Sequence, residues 1–126
     1  MQFGTYRVHT KHRASKPTKE ASIWIVSNWT ELHIFSDASK NNWATVAKNW
    51  LWGIDTANGL SLIGRDVENN CYIAKFKKDN NNEWHGYPVH PRDDDIPPDA
   101  VLESWRLKNY IDNTEKKRIK AGSFKK

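Results

Sequence analysis

The sequence predicts an α+β fold: a mainly antiparallel sheet of about five strands, with one central helix and two C-terminal helices packed on one face. Three observations carry this expectation. Residues 71–77 and 83–89 are apolar–polar alternating runs on either side of an asparagine-rich loop. Trp43, Val46, Ala47, Trp50, Leu51 and Ile54 recur at helical spacing. Past Pro97 and Pro98 the chain carries two sets of helix start and stop signals.

Taken in order, residues 1–20 hold Pro17 and scattered basic side chains, and read as a basic, flexible arm ahead of a single domain over 21–122. "SIWIVS" (22–27) and "ELHIFS" (31–36) are β-rich runs separated by Asn28-Trp29-Thr30, which suggests a hairpin. The central helix is expected over 43–54, capped by Asp37 or Ser39 and closed at Gly53. "LSLIG" (60–64), "CYIAKFK" (71–77) and "EWHGYPV" (83–89) read as three further strands.

The first C-terminal helix should start after Pro98, turn Val101, Leu102 and Trp105 inward and end at Asn109. Asp112 with Glu115 forms a capping box that opens a short basic helix, closed by Gly122. Residues 123–126 are a basic tail.

At 126 residues the chain has the length of one domain. Its seven tryptophans, four tyrosines and four phenylalanines compensate for a modest aliphatic content. A single cysteine, Cys71, excludes an intramolecular disulfide and fits a reducing compartment. No apolar run reaches transmembrane length, and the start of the chain lacks a signal-peptide core, so a cytoplasmic protein without membrane partners is expected.

The net charge of +5 is unevenly placed. Arg7, Lys11, Arg13, Lys16 and Lys19 stand against Glu20 at one end. Lys116, Lys117, Arg118, Lys120, Lys125 and Lys126 stand against Glu115 at the other, and the body between is slightly acidic. Basic ends attract nucleic acid through phosphate contacts and counterion release, although solubilising termini look the same.

Within the 83–92 stretch, a five-residue loop (78–82) would pair Phe76 with Trp84, Lys75 with His85 and Lys77 with Glu83. Alternation then puts Tyr72, Ala74, Phe76, Trp84 and Gly86 on the core side. Lys75, Lys77, Glu83, His85 and Tyr87 fall on a polar side. Histidine is the side chain suited to moving protons near neutrality, so metal-independent RNA cleavage is one candidate chemistry. His85 would be the proton carrier, Glu83 or His90 the second, and Lys75 or Arg92 the stabiliser of the phosphorane.

A nucleic-acid-binding module is the reading that needs least. Arg7, Lys11, Arg13, Lys16, Lys77, Lys116, Lys117, Arg118 and Lys120 would grip phosphates, while Trp29 and Tyr87 stack on bases, RNA or single strands being the expected partner. The ribonuclease reading would make the protein the toxin of a toxin–antitoxin or bacterial-competition pair. A third reading is a protein-interaction factor such as an antitoxin, immunity or accessory protein, with a cognate protein as partner. Trp29 and Trp52 are the rings expected at the surface. His85, His90 and Asp93–Asp95 supply ligand atoms, but their spacing fits no zinc or calcium pattern. Phosphate-loop, nucleophile-elbow and dinucleotide motifs are missing from the sequence, so no cofactor is expected.

Overall fold

The computed structural model describes residues 5–47 and 49–126, and its fold is α+β. Among the described residues, eight strands form two sheets: β1 (Thr5–Tyr6), β2 (Ile23–Trp24), β3 (Ala44–Thr45), β4 (Trp50–Gly53), β5 (Gly64–Arg65), β6 (Asn70–Cys71), β7 (Ile73–Lys78) and β8 (Glu83–Val89). The helices are α1 (Asn28–Lys40), α2 (Asp99–Leu107) and α3 (Asn113–Lys120). The main sheet has the order β1-β8-β7-β4-β3 and is antiparallel except where β1 runs parallel to β8. A small sheet, β2-β5-β6, stands beside it. No described helix is long and apolar enough to cross a membrane.

Two local expectations exchange places. Residues 31–36 are not the return strand of a hairpin; they lie inside α1. The Ser27 hydroxyl accepts a hydrogen bond from the Thr30 backbone N–H at 3.1 Å, so Asn28-Trp29-Thr30 is the first helical turn rather than a hairpin loop. Glu31, Ile34, Phe35 and Ala38 then share the buried stripe.

Conversely, residues 43–54 form the β3–β4 hairpin and not a helix. Asn49 has φ 54°, the left-handed conformation that a tight turn requires and a helix forbids. Three tryptophans in the segment follow the β preference of aromatic rings. Val46, expected in the core, is 95 % exposed at that turn, and Trp52, expected at the surface, is 1 % exposed. The Trp52 indole N–H donates to the Thr45 hydroxyl at 2.9 Å.

The strand expected over 60–64 is short, Gly64–Arg65, and the run 71–77 is divided. Cys71 belongs to the small sheet with Asn70, while Ile73–Lys78 belong to the main sheet.

The β7–β8 hairpin forms with strand bounds close to those expected, but in a register shifted by two residues: Phe76 faces Gly86, Lys77 faces His85 and Lys75 faces Tyr87. The Asp79 backbone N–H donates to the Glu83 carbonyl at 2.9 Å, and Asn82 takes φ 61°, so the loop is tighter than the sequence suggested. A slip of two keeps every residue on its expected face. Gly86 is required here: a Cβ would collide with the Phe76 ring that lies across it.

The C-terminal elements follow expectation closely. Val101, Leu102 and Trp105 of α2 are buried, and Asn109 (φ 63°) ends the run. Asp112 and Glu115 form a complete capping box on α3, which Gly122 (φ 71°) closes.

One core joins these parts. Ile34, Phe35 and Ala38 of α1 share it with Leu51, Phe76 and Trp84 of the main sheet. Trp43 reaches α2, stacking edge-on against Trp105 at 5.7 Å and donating to the Ser104 hydroxyl at 3.1 Å.

Residues 5–13, read as part of an arm, pack against the body. The Tyr6 hydroxyl and the Arg13 guanidinium both bond the fully buried Glu31 carboxylate, Arg13 at 2.6 Å. Arg13 also donates to the Val26 carbonyl.

Candidate functional site

The packing of residues 5–13 builds a cleft. Ser22 donates to the Pro88 carbonyl at 2.6 Å, and the Trp24 indole donates to the Gly86 carbonyl at 3.2 Å, which draws the 22–24 segment onto β8. A 3-10 turn over Thr10–Arg13 then lies across the polar face of the β7–β8 hairpin. The open cleft has a volume of about 430 Å³, and Lys11, His12, Lys77, His85, Tyr87 and His90 are among its walls.

His12 is 4 % exposed and stacks on Tyr87, with ring centroids 5.1 Å apart. Its Nδ1 lies 2.7 Å from the Ser22 carbonyl oxygen. A carbonyl only accepts, so Nδ1 carries the hydrogen and Nε2 of the neutral ring is left as a base. His9 stands between His12 and His85, with ring separations of 5.9 and 5.6 Å. The His9 Nδ1 is buried and has no hydrogen-bond partner among the described residues.

Burial holds the His85 imidazole below its ordinary pKa, helped by His9, Lys11 and Lys77, while Asp79 opposes. Burial also lowers His12, against the pull of the Ser22 carbonyl and with further lowering from Lys11, His9 and His85. Tyr87 is pushed up to about 12 by burial and by Asp95, so its hydroxyl stays protonated. Burial lowers His90 too, opposed by Asp66 and aided by Arg92 and Lys125.

These neighbours show that the cleft has two ends. His85 and His90 are five residues apart along extended chain, roughly 17 Å at strand rise. They cannot act on one bond, so His90 is not a direct partner of His85. His12, which lies over Tyr87 one step along the same face of β8, is the nearer second imidazole.

Lys75 departs furthest from the sequence reading. It is 1 % exposed and faces Tyr87, not His85. Its ammonium sits 3.6 Å from the Trp50 ring centroid and donates to the Asp94 carbonyl at 2.8 Å and the Asp95 carboxylate at 3.1 Å. The amine therefore ties the 93–95 turn to the sheet. Burial lowers its pKa against the opposing effect of Asp95. Lys77, over the Trp50 and Tyr87 rings at 5.1 and 5.9 Å, takes the place beside His85 that the sequence reading gave to Lys75.

The other candidates are dispersed. Glu83 lies beyond the cleft walls, 3.9 Å from Arg7. Arg92 and His90 occupy the far end, where Gly122 brings the end of α3 against the Pro91–Arg92 backbone. Arg13 is engaged by Glu31, while Lys116 and Lys120 are engaged by Asp99, Lys116 also by Glu103. Lys16, Lys117 and Arg118 are exposed and do not line the cleft, and Trp29 is 71 % exposed at the start of α1.

Sequence reasoning missed His9 and His12. The only local trace was a histidine pair inside a basic segment, since the Tyr87 and Ser22 partners lie far along the chain. Among the described residues no group of three or more His, Cys, Asp or Glu side chains is arranged to hold a metal ion. Comparison with protein families, curated proteins and solved structures returns no match.

Proposed function

We propose that the protein binds single-stranded RNA in this cleft and cleaves it without a metal ion. One observation carries the reading: two imidazoles, His12 and His85, meet in one cleft with Lys77, Lys11 and the flat face of Tyr87. His12 Nε2 takes the proton of a 2′-hydroxyl, whose oxygen attacks phosphorus. The bond from phosphorus to the 5′-oxygen breaks, and protonated His85 supplies the proton to that leaving oxygen. The products are a 2′,3′-cyclic phosphate and a free 5′-hydroxyl. Lys77 and Lys11 stabilise the charge on the equatorial oxygens.

His85→Ala should reduce cleavage of a single-stranded RNA by at least about a hundredfold, the scale of a lost general acid. Its melting temperature should stay close to that of the parent protein, because the side chain is only half-buried. Chelator should leave the rate unchanged. Both imidazoles are lowered, so the pH optimum of kcat/KM should fall on the acid side of about 6.5. An intact rate in His85→Ala would end the cleavage reading.

A second observation favours a cognate protein partner. Ile25, Trp29 and Leu32 are 49, 71 and 44 % exposed around the start of α1. Trp29→Ala should weaken capture of such a partner and leave RNA cleavage untouched.

A further inference from the structure

The His9–His12–His85 group is unusual in placing three imidazoles, with neighbouring rings 5.6 and 5.9 Å apart, next to two lysines. We propose that this end of the cleft is a proton-linked site for a phosphate monoester group, taken up together with a proton. The inference rests on reading the cleft as a site for phosphate chemistry, and it adds the ligand's charge state and the proton that travels with it.

The argument is electrostatic. In the empty cluster a proton taken by His12 or His85 meets the neighbouring positive charges and a loss of hydration, so these two rings resist charging. A doubly charged tetrahedral anion reverses that balance, because an opposite charge within about 4–6 Å favours the protonated ring. A monoester carries close to two negative charges at neutral pH, with a second ionisation near 6, whereas an internal phosphodiester carries only one. The monoester therefore gains more from each proton that the cluster accepts.

The charged groups around the cluster agree with this. Lys11 and Lys77 flank it, and Asp79 is the carboxylate that acts on His85. Of the acidic residues in the cleft, Asp95 is held by Lys75, and Asp66 accepts from the Glu68 and Asn69 backbone N–H groups at the His90 end. Glu20 and Glu68 are exposed on the wall.

Calorimetry of the full chain with inorganic phosphate and with sulfate tests the inference. Sulfate keeps its charge across the range, so its pH dependence isolates the imidazoles. Sulfate affinity should rise by about tenfold or more between about pH 8 and about pH 5.5, since one pKa unit of linkage corresponds to a factor of ten. Phosphate binding near neutrality, measured in two buffers of unlike ionisation enthalpy, should show net proton uptake. His85→Gln should reduce both effects while folding normally, and His9→Gln should reduce them less. An oligonucleotide with a 3′-phosphate binding more tightly than inorganic phosphate would identify a strand end as the source, and equal affinity would identify the free ion.

Affinity independent of pH, or uptake unchanged in His85→Gln, would overturn the proposal. Proton-linked binding without RNA cleavage would remove the cleavage reading alone. Cleavage with pH-independent phosphate binding would remove this one alone.

Discussion

The two ends of the chain carry similar charge in the sequence but make different use of it. At the N-terminal end, Arg13 turns inward to a carboxylate with no exposure, and the same segment delivers His12 to the cleft. At the C-terminal end, Lys116 and Lys120 lie along α3 and meet Asp99, while Lys116 also meets Glu103, at the surface. A buried pair leaves an uncompensated charge when one partner is removed, and a surface pair leaves two hydrated groups. Charge counted along a sequence does not reveal which of these it will become.

The strongest way to break the contrast is Glu31→Ala. It strands Arg13 and the Tyr6 hydroxyl and should destabilise the protein by about 3–5 kcal/mol, measured by urea unfolding. The same change should release the 5–13 segment and lower cleft activity with it. If unfolding were unaffected, the N-terminal end would be no more integral than the C-terminal one. Trp105→Ala, in the shared core, should cost a similar about 3–5 kcal/mol.

Acidification should separate the ends next. His12, His85 and His90 are all lowered, so the folded protein holds fewer protons than the unfolded chain below about pH 6.5. Stability is complete above that value and declines as pH falls toward the folded-state pKa values. Melting temperature should therefore drop between about pH 7 and about pH 5, and His85→Gln should flatten the slope.

The smallest effect belongs to α3. Asp99→Asn should leave the melting temperature unchanged within error, because Asp99 itself and its nearer partner Lys120 are solvated. Neutral substitutions at Lys117 and Arg118 should weaken RNA affinity modestly and reduce its salt dependence, while Lys77→Gln should weaken it more.

How far the sequence could be read depended on whether an element is decided locally. The β7–β8 strands and the α3 cap were legible because alternation by two and an Asp-x-x-Glu spacing act within a few residues. Segments 31–36 and 43–54 were not, because both fit either periodicity; Ser27 as a cap and Asn49 as a turn residue decided them. The polar face of the hairpin was identified correctly, but the burial of Lys75 depends on Trp50 and Asp95, which only the fold brings near. Of the candidate site, His85, Lys77 and Tyr87 were legible and lie together. His12 was not, since nothing near it in sequence points to Tyr87.

The parallel pairing of β1 with β8 has a consequence for how the molecule is made. Thr5 and Tyr6 can bond Glu83 and Trp84 only after nearly two thirds of the chain exists. Contacts of such long sequence separation close late, because loop entropy opposes them until the partner surface is ready. While the chain leaves the ribosome, His12 travels ahead without Tyr87, and His85 emerges last of the three histidines. The cleft, and any chemistry it carries, therefore forms only once the hairpin has been made and has received the first strand.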